Sequence, residues 1–188
     1  MQRVRPDDIL RLLEEQPEVE IVENGTELAY EGLEVKDLSF AYGGEAVLKG
    51  VFMTARKNEI VGIVGESGCG KSTLLKLLLR FWERSGGQIR YNGTDIDEIN
   101  TESLYRNATM VSQSTYLFDA TIAENLRIAK PDATDEELMA ALRMASAEEL
   151  VQALPQGLNT PAGLLGGRLS MGERQRIGLA RAFLSGWP

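Results

Sequence analysis

The 188 residues, 43% of them apolar, suffice for one domain or for a core with a smaller lobe, and are too apolar for a disordered polypeptide. Acids outnumber bases 28 to 20, for a formal net charge of −8, and nine of the acids fall within residues 1–31; no basic nucleic-acid footprint exists. The single cysteine, Cys69, and the absence of histidine exclude an internal disulfide, histidine acid–base chemistry and histidine metal ligation, and suit a reducing compartment.

Residues 7–15 (DDILRLLEE) place acids ahead of Ile9, Leu10, Leu12 and Leu13 at helical spacing, which predicts a short helix ended by Pro17. The polar stretch up to Tyr30 reads as a linker. Leu33–Phe40 alternates apolar and polar residues as a half-buried strand does; Gly43-Gly44 supplies a turn, and Val47–Ala55 is a second strand. Glu59–Val64 (EIVGIV) predicts a short, buried strand running into Gly65, and Ser72–Trp82 a leucine-rich helix. Gln88–Tyr91 and Thr109–Ser112 are further predicted strands, with the Asn92-Gly93 turn and a helix near Thr101–Arg106 between them. From Ala120 the pattern becomes helical: Ala123–Ile128, Asp135–Ala145, Glu148–Leu154 and, after the loop Pro155–Arg168, about Met171–Ser185. The longest apolar candidate for a membrane span, Leu74–Trp82, is broken by Lys76 and Arg80, and Met1–Pro6 carries no secretory signal; the chain as it stands is expected to be soluble.

Gly65-Glu66-Ser67-Gly68-Cys69-Gly70-Lys71-Ser72 fits the phosphate-loop pattern G-x-x-x-x-G-K-[ST], with Thr73 next. Its glycines let backbone N–H groups turn inward around phosphates, and the helix that follows adds its N-terminal partial charge. In this pattern Lys71 reaches the β- and γ-phosphates of a bound nucleotide and the Ser72 hydroxyl ligates Mg²⁺. Cys69 reads as a loop filler in a cationic neighbourhood rather than a nucleophile.

A second motif, Leu169-Ser170-Met171-Gly172-Glu173-Arg174-Gln175, places Ser170 99 residues beyond Lys71. Ser170 and Gly172 at a helix start offer a hydroxyl, free N–H groups and the helix dipole to an anion; the plain alternative is an N-cap with Glu173 completing a capping box. Together the two motifs resemble the ATP-binding cassette (ABC) family, whose signature is typically LSGGQ, and the resemblance covers about residues 33–188. Gln113–Leu126 (QSTYLFDATIAENL) looks like the exporter form, in which membrane helices and ATPase share one polypeptide.

The resemblance implies an α/β fold: a P-loop NTPase (RecA-like) core with an antiparallel β subdomain and an attached α-helical subdomain. It divides the chain into an acidic linker, 1–31, which follows a membrane domain, and a partial ATP-binding domain, 32–188, with its core at about 32–112 and helical lobe at about 114–185. It implies that Tyr42 stacks on adenine and that Gln113 approaches Mg²⁺ and the attacking water. Lys71 and Gln113 are then the catalytic residues, with Ser72 and Gln113 at the metal. Ser170, Met171, Gly172 and Glu173 contact the ATP held by a second ABC ATP-binding domain facing head to tail. The expected setting is the cytoplasmic face of the inner membrane, joined to a transmembrane domain, with no nucleic-acid partner.

Three departures qualify the resemblance. Met171 replaces the first signature glycine and Glu173 its glutamine, while Leu164 stands where the exporter loop before the signature carries glutamate. Met171 and Leu164 favour an alternative reading, a regulatory module that binds ATP without efficient turnover. The family's Asp-Glu strand and switch histidine would fall past Pro188. The C-terminal part of the core is thus expected to be missing, and residues 1–188 alone to bind ATP with little hydrolysis.

Overall fold

The Gly43-Gly44 turn, with φ of 55° and 104°, closes a hairpin between β1 (Gly32–Tyr42) and β2 (Glu45–Arg56), registered Tyr42↔Glu45, Phe40↔Leu48 and Leu33↔Ala55. This computed structural model describes residues 19–185, so the helix predicted at 7–15 lies outside the described residues. The other edge of β1 pairs antiparallel with β3 (Gly86–Tyr91), and the Asn92-Gly93 turn, both residues at positive φ, adds the two-residue β4 (Thr94–Asp95). The sheet order is β2-β1-β3-β4. Inward residues of β1 are Leu33, Val35, Leu38 and Phe40, and the register slips at Asp37, whose φ of 50° returns Leu38 to the core side. Gly87 permits that bulge: a Cβ there would sit 2.3 Å from the Asp37 carbonyl oxygen.

Helix α1 (Lys71–Leu78) packs Leu74, Leu77 and Leu78 into the same cluster as Val35, Leu48, Ile89, Tyr91, Ile96, Ile99 and Leu104. The helix stops short of the predicted Trp82. Arg80 takes a left-handed φ of 53°, and the Phe81 N–H donates to the Lys76 carbonyl at 2.9 Å, a Schellman-type ending. The buried Arg80 guanidinium donates to the Ile96 and Ile99 carbonyls (2.6 and 3.0 Å) and to the Thr101 hydroxyl, neutral acceptors that offset part of the cost of its burial. Helix α2 (Thr101–Asn107) is capped by the Asn100 side chain, which accepts from Ser103 N–H.

The described part of the acidic leader does not behave as a free linker. Thr26 N–H donates to Glu98 O (2.8 Å), Asn100 N–H to Thr26 O (3.0 Å), Leu28 N–H to Ser103 Oγ (2.8 Å) and Asn107 Nδ2 to Leu28 O (2.7 Å). Asn100, Ser103 and Asn107 on the α2 side therefore satisfy the backbone of a segment that its polar composition marks as a linker.

Two predicted strands are not formed. Glu59–Val64 and Thr109–Ser112 carry no ladder, and Ile60 and Val64 stand 98% and 96% exposed. Their apolar runs signal buried strands, but a strand exists only when paired, and neither run has a strand partner among the described residues.

From Thr109 onward the chain forms a second unit, all helical. Helices α3 (Ile122–Arg127), α4 (Asp135–Met144), α5 (Glu148–Ala153) and α6 (Met171–Leu184) enclose Leu117, Ile122, Leu126, Leu138, Leu142, Val151, Ile177 and Ala180. Capping boxes fix three of the four starts: Thr121 with Glu124 on α3, Thr134 with Glu137 on α4, and Ser170 with Glu173 on α6. Along α4, Leu138, Ala141 and Leu142 fall at i, i+3 and i+4 on the buried face. Among the described residues no helix is long and apolar enough to cross a membrane.

Leu142 is fully buried, so Leu142→Ala is expected to cost about 2–5 kcal/mol, whereas Ile60→Ala, at an exposed site, stays within about 0.5 kcal/mol; urea midpoints compare them. Glu124 and Glu137 have pKa values held below the ordinary 4.5, Glu124 first by the Thr121 N–H and Glu137 first by Lys130. A depressed carboxylate pKa stabilises the fold above the unfolded value and stops doing so as pH falls through the folded one. Stability is therefore expected to drop as pH falls below about 4.5, and Glu124→Gln with Glu137→Gln should flatten that dependence in pH-resolved urea titrations.

Candidate functional site

Between the unpaired 59–64 run and α1, the loop from Gly65 to Ser72 is shaped by two left-handed glycines, Gly68 (φ 84°) and Gly70 (φ 96°). Nothing lies within 4 Å of a Cβ built on Gly68, so its requirement is conformational. Gly70 is constrained twice: its backbone is left-handed, and a Cβ would sit 2.7 Å from Leu48 Cδ2 and 3.2 Å from Val47 Cγ1. The loop thus lies directly against β2.

Gly70 is also the N-cap of α1, and no side chain caps that helix. Its first-turn N–H groups are left for a ligand or for water. Lys71 folds back over the loop, with Nζ donating to Gly65 O (2.7 Å) and Glu66 O (2.6 Å) and lying 3.6 Å from the Sγ of the exposed Cys69. Main-chain donors at an uncapped helix start, together with an ammonium group, form a cationic cradle that fits a polyphosphate. Ser72 and Thr73 occupy the first turn of α1, which suits Ser72 to the metal of an ATP–Mg²⁺ complex; Glu66 and Ser67 lie within the loop itself.

Tyr42 ends β1 at the edge where β2 begins, and β2 reaches Gly70 through Val47 and Leu48. Its ring is 41% exposed and is wedged edge-on against Phe40 (4.7 Å) and Trp82 (5.4 Å). Part of the aromatic surface at the end of β1 is therefore open to solvent, on the strand pair whose Val47 and Leu48 meet the loop. Trp82 was not a candidate from sequence; its only signal is an aromatic just past a helix end, which is equally a core residue.

In the second unit, Ser170 is the N-cap of α6. Its Oγ accepts from Glu173 N–H (3.3 Å), and Glu173 Oε2 accepts from Ser170 N–H (2.7 Å). The capping box and the signature are thus one structure. The box uses a lone pair of Ser170 and leaves its hydroxyl proton to donate outward. Met171 and Gly172 are exposed, Met171 at 58%, and nothing lies within 4 Å of a Cβ on Gly172. Arg174 anchors the entry from behind, donating to Leu169 O (2.8 Å) and Gly166 O (3.2 Å). Leu164 and Leu165 are exposed, and Leu165 is held at a left-handed φ of 53°.

Gln113 belongs to this second unit. Its carbonyl accepts from Gln175 Nε2 (2.8 Å) while its side chain is exposed. Farther along α6, Arg181 donates to Tyr116 O, Asn125 O and Asn125 Oδ1 at 2.6–2.7 Å, and burial pushes its pKa down. Asn125 is fully buried, and its amide brackets Phe118 through both N–H and C=O. Asn125 and Arg181 escaped the sequence reading, and Gln175 entered it only as the end of the signature motif with no role of its own, because a polar residue within a helical pattern looks like a solvated face.

These features define a phosphate-loop nucleotide-binding protein with a capped signature helix. The family model described as "ABC transporter" matches residues 48–187, and the chain belongs to that family. It is 48% identical over 181 residues to a probable ABC transporter ATP-binding/permease protein of Haemophilus influenzae, covering 96% of this chain and 33% of that protein. Over 182 residues it is 40% identical to an ATP-dependent lipid A-core flippase of Desulfotalea psychrophila, covering 96% of this chain and 32% of that one. Its fold, an α/β ABC ATPase-like arrangement with an antiparallel sheet and helices, is similar to that of a bacterial Atm1-family ABC exporter solved with ATP bound. The TM-score is 0.88 at 32% identity, over 95% of this chain and 32% of that one. The chain therefore spans about a third of the length of these relatives.

Ser170→Ala removes the cap and is expected to lower stability by about 1 kcal/mol, whereas Ser170→Asp, which keeps an accepting oxygen, restores most of it; thermal melts of the three proteins decide the point.

Proposed function

We propose that this chain is part of the ATP-binding and ATP-hydrolysing module of an ABC exporter, acting at the cytoplasmic face of a membrane and joined to a transmembrane domain on the same polypeptide. The observation that carries the reading is the loop: left-handed Gly68 and Gly70 open a helix with no side-chain cap, beneath the Lys71 ammonium. Membership of the family and the fused ATP-binding/permease relatives support the exporter setting. No nucleic acid is involved.

In this reading the loop from Gly65 to Ser72 and Thr73 cradles the phosphates of ATP, Lys71 neutralises the β- and γ-phosphates, and Tyr42 stacks on the adenine. Ser72 and Gln113 hold Mg²⁺, which supplies charge neutralisation across the transferring phosphoryl group. Gln113 also orients the attacking water. Ser170, Met171, Gly172 and Glu173 face the nucleotide of a second ABC ATP-binding domain, and the exposed, capped start of α6 supports that role because its donors are fixed in place. Binding of two ATP molecules then closes the pair of domains, hydrolysis reopens it, and the motion drives transport.

The pair wild type and Lys71→Ala tests the binding step. ATP–Mg²⁺ affinity, measured by calorimetry, is expected to weaken roughly tenfold or more in Lys71→Ala, since a charge-assisted contact to phosphate is lost. Equal affinity in the two proteins would refute the phosphate-loop assignment.

A further inference from the structure

We propose that one stripe of α6, made of Gln175, Gly178 and Arg181, is a positioning device that locks the Gln113 segment to the signature helix, so that the residue serving this chain's own ATP and the donors offered to a second domain's ATP move as one piece. The roles of Gln113 and Ser170 rest on the function proposed above; the lock itself rests on geometry.

Residues 113–118 form no helix or strand, yet they are held at successive points. Gln113 O accepts from Gln175 Nε2 at 2.8 Å. A Cβ on Gly178 would lie 2.6 Å from Thr115 Oγ1, so only glycine lets the helix backbone approach this closely. Tyr116 O accepts from Arg181 Nη1 at 2.7 Å. Positions 175, 178 and 181 follow one another at i, i+3 and i+6, a single stripe along the helix, and they meet 113, 115 and 116 in the same order.

The far end is anchored independently. Arg181 also grips Asn125 through its carbonyl (2.7 Å) and Oδ1 (2.6 Å), while Asn125 Oδ1 accepts from Phe118 N–H at 2.8 Å and Asn125 Nδ2 donates to Phe118 O at 3.0 Å. Leu117 between them is fully buried. The bonds from α6 and Asn125 to this segment fall on main-chain atoms, so they place the segment's backbone whatever its exposed side chains do. The Gln175 bond uses the Gln113 carbonyl and leaves the exposed Gln113 amide available for chemistry. Gln175 lies five residues after Ser170, on the same rigid helix; a shift of the signature carries Gln113 with it.

The test compares wild type with Gln175→Glu, isosteric but unable to donate to a carbonyl, and with Gln175→Lys, which keeps a donor of sufficient reach. Two readouts are used on the full chain: amide hydrogen exchange without nucleotide, and the preference for ATP over ADP in the presence of Mg²⁺. In Gln175→Glu, exchange should rise within 113–118 and not across the rest of the second unit. The ATP-over-ADP preference should fall about fivefold with ADP affinity unchanged, and Gln175→Lys should restore both. A wild-type preference in Gln175→Glu, or no restoration by lysine, overturns the proposal. Should Gln175→Glu raise exchange throughout, Gly178→Ala becomes the deciding variant: it keeps every hydrogen-bonding side chain, displaces Thr115, and must show the same loss of preference. If wild type and Lys71→Ala both fail to bind ATP, the functional reading fails and the coupling with it, whereas ATP binding with an unchanged preference in the variants removes the coupling alone.

Discussion

Gly68 and Gly70 hold the phosphate loop in left-handed backbone conformations, and the first unit is arranged around keeping it there. Such a loop has no ladder of its own to stabilise it, so its position must come from neighbours. Leu48 and Val47 of β2 press against Gly70 from one side, closer than any side chain at that position would permit. On the other side α1 is drawn into the core by Leu74, Leu77 and Leu78, whose burial is worth about 1.5–3 kcal/mol each by the usual area relation. Beyond α1, Arg80 reaches the Ile96 and Ile99 carbonyls, so the helix that opens at the loop is pinned at both ends. The β1–β2 hairpin thereby positions both the aromatic Tyr42 and the floor of the loop.

The helix starts divide by purpose. At α3, α4 and α6 a threonine or serine and a glutamate three residues on satisfy each other's backbone donors, and the ends are electrostatically closed. At α1 the N-cap is a glycine with no side chain to give, and the lysine that follows adds charge where an acid would otherwise stabilise the dipole. That arrangement costs the isolated fold some stability, and an anion recovers it. Helix α6 combines the two: its backbone is capped internally, yet Ser170, Met171 and Gly172 remain at the surface. Its donors are fixed within this chain, which under the proposed function suits a contact that forms and breaks repeatedly.

What the sequence conveyed was local. The β1–β2 hairpin shows in alternation plus two glycines, the capping boxes in Thr121/Glu124, Thr134/Glu137 and Ser170/Glu173, and the phosphate loop in its spacing. What it did not convey depends on contacts between distant residues. Glu59–Val64 and Thr109–Ser112 have the composition of strands and lack the pairing that makes one, since composition says nothing about which edge is available. The leader residues 22–30 read as linker because they are polar, but hydrogen bonds from Asn92, Asn100 and Asn107, sixty and more positions away, tie them down. Trp82, Asn125 and Arg181 failed to register, and Gln175 received no role, for the same reason: a side chain's partner decides its role.

The polar stripe of α6 has a physical rationale that an apolar one would not share. Ile177 and Ala180, fully buried, fix the helix to the core, and apolar packing tolerates small sliding because it is not directional. Under the role proposed for Gln113, a loop whose first residue meets a reacting group cannot accept that tolerance. Hydrogen bonds from Gln175 and Arg181 to main-chain carbonyls have angular requirements, and a part-buried guanidinium is costly unless its donors are engaged, so displacement that breaks them carries a penalty. One fourteen-residue helix thus carries three surfaces: an apolar one that holds it in the core, a polar one that sets the Gln113 segment, and an open N-terminus. Because the three share a rigid backbone, none can shift alone.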